Sequence, residues 1–169
     1  CYGDAQVEAH LGQHVPYQHD AFAALNTHFF EDGAWIHVAK EVATPIHVLH
    51  VATKRGTPSA IYPRSLMVLE ANSRAVLIQD YVALDGAIYL TDAVTEIVLK
   101  QDAQLQHIHL QREEKTAFHV GHCAVKLAKG SAYTSTSLAF GARLSRYNLH
   151  VTQQGEGVEM HLNGLALIA

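Results

Sequence analysis

Thirteen of the 169 residues are histidine, and imidazole is both a common transition-metal ligand and the side chain that titrates nearest neutral pH. His107, His109 and Glu113 read H-x-H-x-x-x-E. Residues two apart on a strand face the same side, so two imidazoles and a nearby carboxylate could hold one metal ion. Two features of such a site are missing. Gln101 stands six residues before His107, where the pattern expects glycine, and no Pro-x-Gly precedes a downstream histidine. The competing reading places His107 and His109 in an outward polar ladder, paired with Gln79, Ser137 or solvent. His119, His122 and Cys123 form a second cluster, H-x-x-H-C. On a strand the two histidines point to opposite faces, and a structural zinc site needs a fourth ligand and usually paired cysteines. Cys123 and Val125 are therefore expected to pack inward, with both histidines on the surface. His37, His47 and His50 alternate with Ile36, Val38, Ile46, Val48 and Leu49 and read as solvated strand positions. Cys1 is terminal and expected to be mobile.

The H-x-H-x-x-x-E stretch resembles the first half of the cupin metal signature, which implies a metal-dependent enzyme using His107, His109 and Glu113 as the alternative function. Other constellations are absent from the sequence: there is no G-x-S-x-G nucleophile elbow and no phosphate-cradling G-x-x-x-x-G-K. Asp92 and Glu96 would form an acid pair on a helix. The run from Ala87 to Leu99 reads as strand and turn, so both are expected to be ordinary exposed carboxylates.

Composition narrows the remaining classes. With 49% apolar and 17% charged residues, the chain can bury one continuous core of single-domain size. A net charge of -4 with scattered Lys and Arg gives no basic stripe for nucleic acid. The apolar run Gly164 to Ala169 is far shorter than the roughly 20 residues a membrane span needs. Two lone cysteines and no signal-peptide pattern point to a reducing compartment. The chain begins with Cys1, not Met, and ends in apolar residues, so further sequence is expected beyond it.

The elements that would position these groups change type along the chain. Cys1 to Asp20 is polar and without clear period. Ala21 to Phe30 has helix-like apolar spacing, with Asp20 as N-cap and Gly33 as a stop signal. From Ala34 onward, short β-branched and aromatic runs alternate with turn clusters at Glu70 to Ser73, Gln101 to Ala103, Lys129 to Ser131 and Gln153 to Gly157. These clusters mark a repeat. With Leu69, Leu99, Leu127 and Val151 as anchors, the residues two earlier are Met67, Ile97, Val125 and Leu149, and those four later are Ser73, Ala103, Ser131 and Gly155. Nine after the anchors stand Ile78, Ile108, Thr136 and Met160, expected inside; ten after stand Gln79, His109, Ser137 and His161, expected outside. Val38, with Ile36 before it, would anchor an earlier coil. A β-sandwich of about eight strands would give part of the same alternation, whereas a repeat of about 24 to 30 residues suits a solenoid coil of several strands.

Phe22-Ala-Ala-Leu-Asn26, Gly33-Ala-Trp-Ile-His-Val38 and Pro45-Ile-His-Val-Leu49, in that order, resemble the opening of the SufB/SufD core of the SUF iron-sulfur cluster assembly system. Pro63-Arg64 leading into Val68-Leu69-Glu70, Thr95 to Leu99, Leu110-Gln-Arg-Glu113 and Leu162-Asn-Gly-Leu165 continue it, so the resemblance spans Ala21 to Ala169. It implies an all-β fold, a right-handed parallel β-helix with a short N-terminal helix. Residues 1–20 would be an irregular segment and residues 21–169 the β-helical core, continuing beyond Ala169. B-type members of this family carry cysteine ligands and tend to read Glu-Gly-Cys where this chain has Gln79-Asp80-Tyr81. A phenol does not replace a thiolate in iron-sulfur chemistry, so the resemblance favours the D type. It implies a non-catalytic scaffold that pairs with a SufB-like homologue and a SufC-like ATPase, in the cytoplasm or, in a photosynthetic eukaryote, the plastid stroma. No cofactor is expected to be held tightly by this chain; the complex assembles the cluster. The Cys-Ser-His-Gly-like stretch and the ATPase-docking helices of D-type members have no counterpart in these residues, so no catalytic, cofactor-binding or metal residue is carried over.

Overall fold

A computed structural model describes residues 5–53, 58–84 and 88–167. Two helices, α1 (Ala5–His10) and α2 (Ala21–Phe29), flank a 3-10 turn at Tyr17–His19 and precede the strands. The strands are β1 (Trp35–Val38), β2 (Ile46–Ala52), β3 (Ser59–Ile61), β4 (Arg64–Leu69), β5 (Arg74–Ala83), β6 (Tyr89–Leu99), β7 (Gln104–Gln111), β8 (Phe118–Leu127), β9 (Ala132–Ala139), β10 (Leu144–Gln153) and β11 (Glu159–Ala166). One sheet runs β1-β4-β6-β8-β10, with β3 beside β6, and the other runs β2-β5-β7-β9-β11. Every pairing is parallel. From β4 onward the chain alternates between the sheets, adding one strand to each per coil. The result is the expected β-solenoid, of about four turns.

The repeat columns are physical rows. Leu69 pairs with Leu99 and Leu99 with Leu127, while Met67, Ile97 and Val125 make the row beside them. Val38 and Ile36 extend both rows into the earlier coil, opposite Leu69 and Met67. Val151 departs from the expected column: it lies opposite Val125, and Gln153 takes the place beside Leu127. The corners from β4 to β5, β6 to β7, β8 to β9 and β10 to β11 each turn on one residue in the left-handed region, Asn72, Asp102, Gly130 and Gly157, types that tolerate positive φ. The Asn72, Asp102 and Gly130 amides donate to Gln101, Lys129 and Glu156 of the next coil. Ser73, Ala103 and Ser131 follow, buried.

The in-and-out assignment on the second sheet is the reverse of the expectation. Ile78, Ile108 and Thr136 do align, but on the outer face, where they are half-buried. Gln79 and His109 point inside, at 0% and 3% exposure. Met160 pairs with Tyr133, not Thr136, and is exposed. Alternation establishes only that a strand has two different faces. Here Leu77, Leu105, Leu69, Leu99 and Leu127 fill the interior near the corners, and polar groups fill the rest, leaving isoleucine and leucine on the outer face. Leu105→Asp should therefore cost on the order of 4 kcal/mol or more in chemical denaturation, and Ile108→Asp about 1 kcal/mol or less.

The outer face of the first sheet is covered by the N-terminal segment. Asp20 caps α2 as expected, accepting from the Phe22 and Ala23 amides at 2.9 and 3.1 Å. Val15 and Ala23 pack on Val94 and Ala124, and Leu11 and Trp35 pack on Leu66, Val68 and Val98. Gly33 passes so close to β4 that a Cβ there would collide with the Arg64 carbonyl oxygen. The fully buried Arg64 guanidinium contacts Glu96 at 3.0 Å and donates to Asn26 and Thr27 of α2. Glu96 in turn accepts from the Gly12 and His14 amides, both at 2.8 Å. Asp92 and Glu96, expected to be exposed, are both 0% exposed because this cover lies over them. Arg64→Ala would strand the Glu96 charge, and a loss of about 3–5 kcal/mol in urea denaturation is expected.

Candidate functional site

Strand alternation sends polar side chains from successive coils into the space beyond the leucine rows. Gln79 and Tyr81 come from β5, Thr91 and Thr95 from β6, His107, His109 and Gln111 from β7, His119, Gly121 and Cys123 from β8, and Tyr133 from β9. Glu113 joins them from the segment after β7. All are buried.

Two hydrogen-bonded networks organise this interior. The His107 Nε2-H donates to the Gln79 carbonyl oxygen at 2.9 Å, which leaves Nδ1 to accept from the Tyr133 hydroxyl at 2.9 Å. Thr95 donates to the same Gln79 oxygen at 3.1 Å. In the second network Glu113 accepts from Thr91 at 2.6 Å, Gln111 at 3.2 Å and His119 Nδ1 at 2.7 Å. Burial pushes the Glu113 carboxyl up, but the His119 bond and charge, with the Thr91 and Gln111 bonds, outweigh it and hold the carboxyl below its ordinary range. Between the networks runs a stack of rings. His50 stacks on Tyr81 with centroids 4.5 Å apart, Tyr81 lies 5.1 Å from His109, and His109 stacks on Tyr147 at 4.2 Å. Desolvation lowers His50 and His107 to about 4 and takes His109 well below its ordinary value. These imidazoles are neutral at pH 7. The Cys123 thiol is pushed up to about 12 by burial, so it is neither a ready nucleophile nor a ready thiolate ligand.

The individual expectations separate clearly against this geometry. His107, His109 and Glu113 are all inside, not on an outward ladder. They do not form a cupin-type metal set: His107 uses both nitrogens on Gln79 and Tyr133, and Glu113 is engaged by His119. No three His, Cys, Asp or Glu side chains among the described residues are placed to hold a metal ion. Cys123 and Val125 pack inward as expected, and His119 and His122 take opposite faces. His119 is nevertheless buried inside, and His122 is buried on the outer face, 3.6 Å from Asp20. That face holds a cleft of about 310 Å³ lined by His19, Asp20, His122, Arg146 and Asn148 among others. His37 and His47 are exposed, meeting Glu70 and Asp80 at 2.9 and 3.4 Å, whereas His50 turns inward onto Tyr81. Cys1 lies outside the described residues. The Gln79–Tyr81 and His119–Glu113 groupings escaped sequence reasoning. Their signal was polar residues at period two, Gln79-x-Tyr81 and His107-x-His109-x-Gln111, which the apolar count assigns to solvent.

Comparison with known proteins decides the family. The SufBD core domain model of the SUF iron-sulfur cluster assembly system matches residues 49–169. The chain belongs to the SufBD core family. A SufBD-family iron-sulfur cluster assembly protein of Synechocystis sp. is 33% identical over 97% of this chain and 38% of its own length. The chloroplastic protein ABCI7 of Arabidopsis thaliana is 26% identical, over 80% of this chain and 30% of that protein. SufD of Escherichia coli is also 26% identical, over 79% of this chain and 36% of that protein. This SufBD core thus spans little more than a third of these relatives at most. No solved structure is a significant match.

The buried titratable groups give this SufBD core a defined pH response. An imidazole whose folded pKa lies below 6.5 leaves the unfolded chain to bind the extra proton, so stability is full above about pH 6.5 and falls towards pH 4. The depressed Glu113 acts in the same direction at lower pH. Asp92 acts oppositely, because burial and then the Asp20 charge raise its carboxyl to about 7, so its contribution is full below about pH 4 and is lost as pH rises from there through 7. Urea denaturation should show an optimum near neutrality. His107→Gln should make the acid limb shallower, and Asp92→Asn should raise stability progressively from about pH 4 and most at and above pH 7.

Proposed function

We propose that this chain is the β-helical core of a SufD-type subunit, a non-catalytic scaffold that pairs with a SufB-like cluster-building subunit and a SufC-like ATPase. The observation that carries the reading is the interior of β5. By the family resemblance, Tyr81 stands where B-type members tend to read cysteine, and it is buried in a ring stack. The described residues contain one free thiol, Cys123, which burial holds protonated. Without an available thiolate this part of the chain lacks the soft ligand a nascent cluster requires. Similarity to a SufD protein supports the D-type assignment. The cluster is cargo of the complex, and no residue here is assigned to catalysis.

The pairing surface follows from the last coil. β10 and β11 are the edge strands of their sheets, and Leu144, Met160, Leu162 and Leu165 on them are about half exposed. An edge with free backbone groups and apolar side chains recruits another layer of strands. Further coils or the SufB-like partner would supply it, burying roughly 1,000 Å² or more in a stable association. The cytoplasm or the plastid stroma is the proposed compartment, supported by the chloroplastic relative; no helix is long and apolar enough to cross a membrane among the described residues.

Co-expression of the full-length protein with SufB-like and SufC-like subunits tests the reading. A stable ternary complex is expected, in which Leu162→Lys with Leu165→Lys weakens SufB-like pairing without unfolding the solenoid. A full-length protein that assembles and retains an iron-sulfur cluster with neither partner would contradict the scaffold role.

A further inference from the structure

The cover over the first sheet is attached by polar contacts more than by apolar burial. Of residues 5–30, Val15, Ala23 and Asn26 alone are buried, and α1 buries none of its side chains. Leu25, Phe29 and Phe30 of the α2 end, with Tyr17 before the helix, are exposed. What holds the cover is a set of hydrogen bonds. Glu96 accepts from the Gly12 and His14 amides, Arg64 donates to Asn26 and Thr27, and the Asn26 side chain donates to the Pro63 and Asp92 carbonyl oxygens at 3.1 and 2.8 Å. A segment with few buried apolar contacts opens locally, ahead of the global transition.

Beneath this cover lies a carboxyl group with nothing to answer it. Asp92 is 0% exposed, and neither of its carboxyl oxygens has a hydrogen-bond partner among the described residues. The charge that acts on it is Asp20, the cap of α2, of the same sign. The other charged and titratable groups nearby are engaged elsewhere: Arg64 of β4 pairs with Glu96 of β6 at 3.0 Å, while His122 of β8 and Arg146 of β10 face Asp20 at 3.6 and 3.9 Å. An ionised carboxylate buried without donors is strongly disfavoured. Water reaching Asp92 would remove that penalty.

We propose that residues 5–30 form a strap that lifts as one unit from an intact solenoid, and that Asp92 sets its release, because burial beneath the strap admits its protonated form and exposure its ionised form. Lifting would uncover Leu66, Val68 and Val98, the apolar face that the strap shields. The sign follows from linkage. Relative to a neutral side chain, Asp92 favours release increasingly as pH rises from about 4 through 7, with no further gain above. His10, His14 and His122, lowered by burial, act the other way below about pH 6.5. The device is independent of the SufD-type assignment.

Hydrogen exchange of the purified full-length protein, read by mass spectrometry and corrected for the intrinsic rate at each pH, tests the proposal. Amides of residues 5–30 should be at least roughly tenfold less protected than those of β6 and β8. The opening constant of wild type divided by that of Asp92→Asn should rise at least roughly tenfold from pH 5 to pH 7.5; the histidines, common to both proteins, cancel in this ratio. Equal protection of the cover and of β6 and β8 would overturn the strap, since the cover would then open only with the solenoid. A ratio that does not change with pH would overturn the role of Asp92. The carbon-13 resonance of the Asp92 carboxyl in wild type decides the same point without a variant: it should titrate near pH 7, and a carboxyl already ionised at pH 5 in the folded protein overturns the proposal.

Discussion

In-register parallel stacking of the coils is the constraint on which the rest depends. Once Leu69, Leu99 and Leu127 share a row, the backbone ladder carries the same phase into each following residue, and every coil must turn the same positions inward. A polar residue at an inward position then has nowhere to go. It must find its partner on the coil above or below or on the facing sheet. His107 does so through Gln79 one coil back and Tyr133 one coil on. His119 finds Glu113 before it on the same coil, with Thr91 from the preceding one. The interior is thus polar by pairing, and each network is specified by the stacking that also forms the core.

The same constraint explains why two outer faces of one solenoid differ. The first sheet carries Leu66, Val68, Val94 and Val98 outward, and the chain supplies its own cover in α1, α2 and the turn between them. Arg64 and Glu96 pin that cover at its centre: their ion pair is buried, and the carboxylate also holds two backbone amides of the N-terminal segment. The second sheet turns Ile78, Ile108, Leu110 and Leu138 outward, half-buried by their own neighbours. Apolar residues on that face do not mark the core. They belong to a sheet surface whose opposite side is occupied by imidazoles, amides and phenols.

How far this could be read in the sequence depends on which residues carried the signal. The solenoid was legible because the corners repeat: Ser73, Ala103 and Ser131 each follow a left-handed residue, and the leucine anchors stand at matching distances before them. The short helix was legible through Asp20. Counting from Val151 puts Met160 beside Thr136, where Asn163 lies, because Gln153 and not Val151 stands beside Leu127 and because the last corner is one residue longer. The inward face of β5, β7 and β9 is illegible to a rule that equates polarity with exposure, because that rule fails wherever buried polar groups satisfy one another. For the same reason Gln79, His109 and His119 were read as surface residues. Asp92 and Glu96 were misplaced because nothing in their own segment announces that a helix from far earlier in the chain lies over them.

The most direct measurement of this account is the ring nitrogen spectrum of the histidines, recorded by long-range nitrogen-proton NMR from about pH 8 to pH 5. An interior His107, donating from Nε2 to Gln79 and accepting at Nδ1 from Tyr133, should show the neutral Nε2-H tautomer throughout. A His107 that gains its second proton near pH 6.5, the ordinary value of an imidazole, would contradict the inward phase of the second sheet and the polar interior built on it.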